Sequence, residues 1–125
     1  TVREPLKAIL GSHPRVFLQE PFDYSEFVGA IRNCYLILTD SGGLQEEAPS
    51  LGKPVLVLRE TTERPEAVMA GTAKLVGTNT SNIVATAAEL LSDDAKYKKM
   101  AMAINPFGDG HASERILKIV RAYFS

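Results

Sequence analysis

A parallel α/β sheet flanked by helices, Rossmann-like in its layering, is the fold this 125-residue sequence predicts. Three observations predict it. Short apolar runs alternate with segments of helical spacing along the chain, and parallel strands need such crossovers, which place helices on both faces of the sheet. The run Lys53-Pro-Val-Leu-Val-Leu58 is apolar at successive positions rather than alternate ones, so both of its faces are expected to be covered. Finally, Thr39-Asp-Ser-Gly-Gly43 follows one apolar run and precedes a helical one, which is where open α/β sheets put their ligand loops.

In chain order, residues 2–10 place Val2, Leu6, Ile9 and Leu10 near helical spacing, and Gly11 supplies a stop. Arg15-Val-Phe-Leu-Gln19 lies between Pro14 and Pro21, the bounds expected of a buried strand. Residues 24–32 return to helical spacing, with Phe27, Val28 and Ile31 on one face and Asp23 as N-cap. Cys34-Tyr-Leu-Ile-Leu38 reads as a strand running into the glycine-rich turn, and a helix over residues 44–51 follows, with Gly52 as its C-terminal punctuation. The strand at residues 53–58 should have a parallel neighbour. Thr62 or Glu63 leads into a short helix with Pro65 at its first position and Gly71 at its end. Residues 73–77 form a fourth strand, residues 79–91 and 94–104 two helices, and Asn105-Pro-Phe-Gly-Asp-Gly110 a loop. The last helix, residues 112–124, carries a broad apolar face of Ile116, Leu117, Ile119, Val120, Tyr123 and Phe124. Doubly wound domains usually begin with a strand, whereas this chain begins with a helix. Part of the sheet is therefore expected upstream of Thr1, and residues 1–125 are treated as one domain lacking its first strands.

Composition narrows the function. Fourteen basic residues against fifteen acidic ones leave a net charge of -1, without the electropositive footprint that nucleic-acid binding needs. The longest apolar runs fall far short of the roughly 20 residues that span a bilayer, so no membrane partner is expected. A single cysteine, Cys34, cannot form an internal disulfide, and no His or Cys stands at metal-ligand spacing. The chain reads as cytoplasmic, with Cys34 as a buried structural thiol, and free of metal and cofactor. No signal peptide is visible.

The chemistry concentrates in Thr39-Asp-Ser-Gly-Gly-Leu. Gly42 and Gly43 allow close backbone approach, and the free N–H groups and positive dipole end of the following helix attract a phosphate group. Ser41 adds a hydroxyl donor, and Arg64 is the best-placed source of a neutralising charge. The plainer alternative is a tight strand-to-helix turn with Ser41 as N-cap. Glu46 and Glu47 are adjacent, so on a helix they point about 100° apart and cannot form one acid/base pair. One of them could accept two hydrogen bonds from a ribose diol; both could equally be solvated surface groups. Arg64 could instead pair with Glu63 or Glu66. Asp40 suits a loop-stabilising acceptor of backbone N–H groups. His13, in a connector, and His111, at a helix start, are not assigned to catalysis, and Glu60, Glu63 and Glu66 read as a solvated cluster around Arg64.

The uninterrupted stretch Thr39-Asp-Ser-Gly-Gly-Leu-Gln-Glu-Glu-Ala-Pro-Ser-Leu-Gly-Lys-Pro-Val-Leu-Val-Leu-Arg59, continued by Glu60-Thr-Thr-Glu-Arg-Pro-Glu66, is similar to the signature of the non-hydrolysing bacterial UDP-N-acetylglucosamine 2-epimerases. Gly71, Leu75-Val-Gly77 and Asn105-Pro-Phe-Gly-Asp-Gly110 resemble later landmarks of that family, in the same order. The resemblance implies two Rossmann-like halves of the glycosyltransferase-B type, with a nucleotide sugar between them, and this chain resembles part of the C-terminal half. It also implies that Ser41, Gly42 and Gly43 bind the diphosphate, Glu47 the ribose, and Arg64 the diphosphate again. Phe22 and Phe27 flank Pro21-Phe-Asp-Tyr24, which resembles the segment that receives uracil through backbone groups; their side chains fit ordinary core packing as well.

The implied reaction interconverts UDP-N-acetylglucosamine and UDP-N-acetylmannosamine by anti elimination of UDP and its re-addition to the other face of a glycal. The chain would bind UDP or UDP-GlcNAc and stabilise UDP as leaving group. The acidic groups at C2 and C3, and a further histidine, would come from an N-terminal domain of the same polypeptide. The resemblance further implies a cytoplasmic homodimer serving bacterial surface-polysaccharide synthesis. This chain alone is expected to be inactive. Two other classes stay open at this point: the nucleotide-sugar-binding domain of a glycosyltransferase-B-type glycosyltransferase, and a non-catalytic UDP-sugar-binding module.

Overall fold

A computed structural model describes residues 2–125. The chain runs through α1 (Arg3–Leu10), α2 (Tyr24–Asn33), β1 (Ile37–Thr39), α3 (Gly42–Glu47), a 3-10 turn (Ala48–Leu51), β2 (Val55–Val57), α4 (Pro65–Ala70), β3 (Ala73–Leu75), α5 (Thr80–Ser92), α6 (Asp94–Ala101) and α7 (Ala112–Phe124). Residues up to Ala30 form one compact unit and Ile31–Ser125 a second.

In the first unit, α1 is amphipathic but has no buried residue. Gly11 closes it with right-handed backbone, φ -61°, so its stop does not use the left-handed conformation that favours glycine at helix ends. Asp23 caps α2 as expected: its Oδ1 accepts the Glu26 N–H at 2.8 Å. The strand expected at residues 15–19 does not form. A strand exists only through a partner's hydrogen bonds, and the Val16 N–H instead turns back to the His13 carbonyl at 3.1 Å, with Phe17 79% exposed.

The second unit holds a three-stranded sheet in the order β1-β2-β3, all parallel, with Ile37, Val55 and Ala73 in register. β2 is central and Val55, Leu56 and Val57 are fully buried, which accounts for its unbroken apolar sequence. Val55 and Val57 join Ala48, Ala67 and Ala73 on one face; Leu56 joins Val76 and Leu90 on the other. Each of these β2 side chains contributes about 1.5–3 kcal/mol by leaving water.

The strands are shorter than their apolar runs. Residues 34–36 stay outside β1, and side chains rather than a neighbouring strand satisfy the first two of their carbonyls: Lys53 Nζ donates to Cys34 O at 2.7 Å and the Tyr97 hydroxyl to Tyr35 O at 2.6 Å. The Tyr35 and Tyr97 rings stack over that contact, their centroids 4.0 Å apart. Cys34 is only partly buried, and its thiol donates to the Ile31 carbonyl. Burial pushes its pKa up.

Helix ends follow local chemistry. α3 begins at Gly42, two residues before the expected start, and tightens into the 3-10 turn where Pro49 cannot donate to the α ladder. Gly52 and Gly71 end their segments at φ 68° and 85°, the left-handed region. Asn79 and Asp93 cap α5 and α6 through their side chains. The helix expected over residues 94–104 stops at Ala101. α7 matches its expected bounds, but Ile116, Leu117, Ile119, Val120, Tyr123 and Phe124 are exposed.

Candidate functional site

β1 delivers the chain to the loop between Thr39 and α3, at the carboxyl edge of the sheet. Thr39 is buried, its carbonyl accepts the Leu58 N–H at 2.9 Å, and its hydroxyl accepts the Ser41 N–H at 3.0 Å. Thr39 therefore performs the loop-bracing role expected of Asp40, which is exposed and makes none of these bonds.

Ser41 occupies the N-cap position of α3 with extended backbone, ψ 130°, yet its hydroxyl makes no capping bond. Among the described residues, no side-chain acceptor meets the first N–H groups of α3, and the Ser41 hydroxyl takes no part in capping them. Gly42 and Gly43 explain little about the fold itself. Neither has positive φ. A Cβ added to Gly42 would lie 3.5 Å from Glu63 Oε2 and 4.0 Å from Arg64 Cζ, and one on Gly43 would lie 3.7 Å from Ser41 Oγ. These are ordinary contacts. Backbone conformation and internal packing would both accept alanine at these positions.

The same distances place Glu63 and Arg64 against Gly42, joining the two segments singled out in the sequence. Arg64 is the N-cap residue of α4 and its side chain is 37% exposed. Its Nε is paired with Glu46, its Nη1 donates to the Glu63 carbonyl at 3.2 Å, and its backbone N–H donates to the Thr62 hydroxyl at 2.9 Å. The alternative pairings with the carboxylates of Glu63 or Glu66 do not occur. Glu63 instead binds Arg59 Nη1 at 2.6 Å, and that hydrogen bond holds its carboxyl below the usual range. Glu60 stands over Gly77, whose φ of 69° and lack of a side chain leave room for the carboxylate.

The adjacent glutamates of α3 separate as helical geometry requires. Glu46 turns to Arg64, whereas Glu47 is exposed, with no ion-pair partner among the described residues. Gln45 was not singled out by the sequence. It is fully buried, its Nε2 donates to the Ser41 carbonyl at 3.4 Å, and its Oε1 accepts the Thr62 hydroxyl at 2.6 Å. A polar residue on the inward stripe of a helix was the available signal, because a buried amide requires partners.

Phe22 and Phe27 belong to the first unit; Phe22 is 44% exposed and Phe27 half-buried. His13 accepts the Arg15 N–H on Nδ1 at 3.2 Å. His111 occupies the N-cap position of α7 without a side-chain cap, its ring 3.1 Å from Glu114 and its N–H donating to Asp109 Oδ1. Asp109 also pairs with Arg115, which lowers its pKa. Among the described residues, no group of three or more His, Cys, Asp or Glu side chains is arranged to hold a metal ion. No described helix is long and apolar enough to cross a membrane.

A family profile described as UDP-N-acetylglucosamine 2-epimerase matches residues 1–121. A probable UDP-N-acetylglucosamine 2-epimerase from Ralstonia solanacearum is 56% identical over 124 residues, which covers 99% of this chain and 33% of that protein. The crystal structure of a protein described as a UDP-N-acetylglucosamine 2-epimerase from Listeria monocytogenes superposes with a TM-score of 0.95 at 54% identity, covering 98% of this chain and 33% of the other. A UDP-GlcNAc 2-epimerase from Neisseria meningitidis, solved bound to UDP-GlcNAc, gives a TM-score of 0.88 at 52% identity, covering 97% and 33%. The chain spans about a third of the length of the relatives it matches.

Proposed function

This chain belongs to the UDP-N-acetylglucosamine 2-epimerase family, and we propose that it is the UDP-binding part of an enzyme that interconverts UDP-N-acetylglucosamine and UDP-N-acetylmannosamine. The observation that carries this is the pair Gly42 and Gly43, at the mouth of a helix whose leading N–H groups are uncapped, beside the Arg64 guanidinium. Neither glycine is demanded by φ or by packing, which fits a ligand that must approach the backbone. A diphosphate has the matching chemistry: peptide N–H groups and the Ser41 hydroxyl donate to its oxygens, and Arg64 offsets its charge. Net charge of the whole chain is immaterial at this range.

In this assignment Glu47, exposed on α3 with no ion-pair partner among the described residues, accepts from the ribose hydroxyls. Elimination moves the C1–O electron pair onto the UDP diphosphate while a base takes the C2 proton; re-addition of UDP and protonation at C2 from the other face complete the inversion. Negative charge develops on the diphosphate as the bond breaks. The α3 N–H groups and Arg64 would then stabilise the transition state more than the ground state, which is what accelerates a reaction. The groups acting at C2 and C3 belong, on this proposal, to the part of the enzyme outside residues 1–125, which themselves form part of a single domain. The native enzyme would be a cytoplasmic homodimer supplying a bacterial surface polymer.

Family membership replaces the glycosyltransferase alternative. This chain by itself is expected to bind UDP without turning over UDP-N-acetylglucosamine. The test is a UDP titration followed by NMR, with Arg64→Ala weakening binding several-fold, as loss of a charge-assisted contact should. Equal affinities would remove Arg64 from the site, and formation of UDP-N-acetylmannosamine by the purified chain would show that the acid and base are already present.

A further inference from the structure

Arg64 is held at both ends by consecutive residues of the same helix. Its guanidinium meets Glu46, and its backbone N–H ends a relay in which the Thr62 hydroxyl accepts from Arg64 at 2.9 Å and donates to Gln45 Oε1 at 2.6 Å. The other end of the Gln45 amide reaches the Ser41 carbonyl at 3.4 Å, inside the glycine loop. The relay therefore joins the two segments that would face the diphosphate, and the Gln45 amide at its centre is fully buried.

We infer that Gln45, Glu46 and Thr62 are positioning residues, a brace that sets Arg64 in register with the Ser41-Gly42-Gly43 loop so that the guanidinium and the α3 N–H groups converge on one diphosphate. The brace rests on the proposed diphosphate site and specifies how that site is built. Three features support it. The Thr62 hydroxyl is used twice, once as donor and once as acceptor, so its orientation is determined. Glu46 and the Glu63 carbonyl engage Nε and Nη1, leaving Nη2 without a hydrogen bond among the described residues and available to an anion. The Glu46 pair is also too exposed, 43% on the Glu46 side, to matter much for stability. Its consequence is orientation, because a planar guanidinium fixed at Nε has little freedom left.

The test uses this chain, NMR titration with UDP, and the Arg64 Nε–H resonance as a direct reporter. Gln45→Leu is the obvious variant, but it could disturb packing, so Thr62→Val and the surface change Glu46→Gln are measured with it. Thr62→Val is expected to weaken UDP binding about fivefold, the scale of one lost hydrogen bond with an unsatisfied partner, and to shift the Arg64 Nε–H resonance. Thr62→Ser, which keeps the hydroxyl, should restore both. In an Arg64→Ala background, Thr62→Val should cost no further affinity, because a brace acts only through the residue it braces. The same loss in both backgrounds, or an unshifted resonance in both Thr62→Val and Glu46→Gln, would overturn the brace and leave a merely structural contact. Absence of any UDP response in the unsubstituted chain is a different result: it would bring down the diphosphate site itself.

Discussion

Replacing Gly43 with alanine should make the protein no less stable and yet weaken UDP binding at the proposed diphosphate loop. Gly43 is the second residue of α3, its φ is not positive, and the nearest atom to an added Cβ is Ser41 Oγ at 3.7 Å. Nothing is displaced, so the change should act mainly by restricting the unfolded chain and raising helix propensity. For glycine in a helix that is worth about 0.5–1 kcal/mol, with the lower end fitting the first turn. A gain of about 0.5 kcal/mol corresponds to a rise in Tm of roughly 2 °C for a domain of this size. UDP binding should move the opposite way, because the methyl group occupies the space through which phosphate oxygens would reach the α3 N–H groups. A hydrogen bond to a charged group is worth about 1.5–3 kcal/mol, so losing one weakens UDP binding by at least tenfold. Thermal unfolding by circular dichroism and a UDP titration on the same sample decide the matter. A fall in Tm of several degrees would show that the fold needs this glycine, and unchanged UDP affinity would show that no phosphate sits over the loop.

Gly71→Ala provides the contrast: at φ 85° it should destabilise by about 1 kcal/mol or more, seen as a lower denaturation midpoint, with no effect specific to UDP. Leu56→Ala at the centre of β2 should cost about 2–5 kcal/mol in urea unfolding, because Leu56 is fully buried between Val76 and Leu90. For Glu63, whose pKa is lowered by the Arg59 hydrogen bond, the folded value lies below the unfolded one. Its small contribution to stability is therefore present above the unfolded carboxyl pKa and lost as pH falls through the folded value. An NMR titration of the Glu63 carboxyl should show the depressed midpoint, and Arg59→Ala should return it towards the ordinary range; no movement would mean that Arg59 is not its cause.

The site's backbone was largely legible in sequence order, because its elements are local. Thr39-Asp-Ser-Gly-Gly43 reads as a strand-to-helix turn from composition alone, and Pro65 and Gly71 bracket α4 through φ preferences that need no distant partner. The partners of its side chains were not legible. Neither Glu63 nor Glu66 binds the Arg64 side chain through its carboxylate, although both are its sequence neighbours; Glu46, eighteen residues away, does. Gln45 and Thr62 are likewise seventeen positions apart. Such pairs arise because parallel strands β1 and β2 deliver their following loops to the same edge of the sheet, a consequence of topology rather than of spacing.

By itself the sequence determined the helix bounds set by caps and glycines, the two-sided burial and parallel pairing of an apolar β2, and the family to which the chain belongs. Those properties depend on residue chemistry within a few positions, or on a long ordered pattern of residues. The tertiary structure decided which apolar runs became strands, since residues 15–19 pair with no strand and Cys34 and Tyr35 give their carbonyls to side chains. It also decided that Thr39 rather than Asp40 braces the loop, and that Glu46 and Thr62 hold Arg64. A hydrogen bond needs two groups at one place, and only the folded chain brings them there.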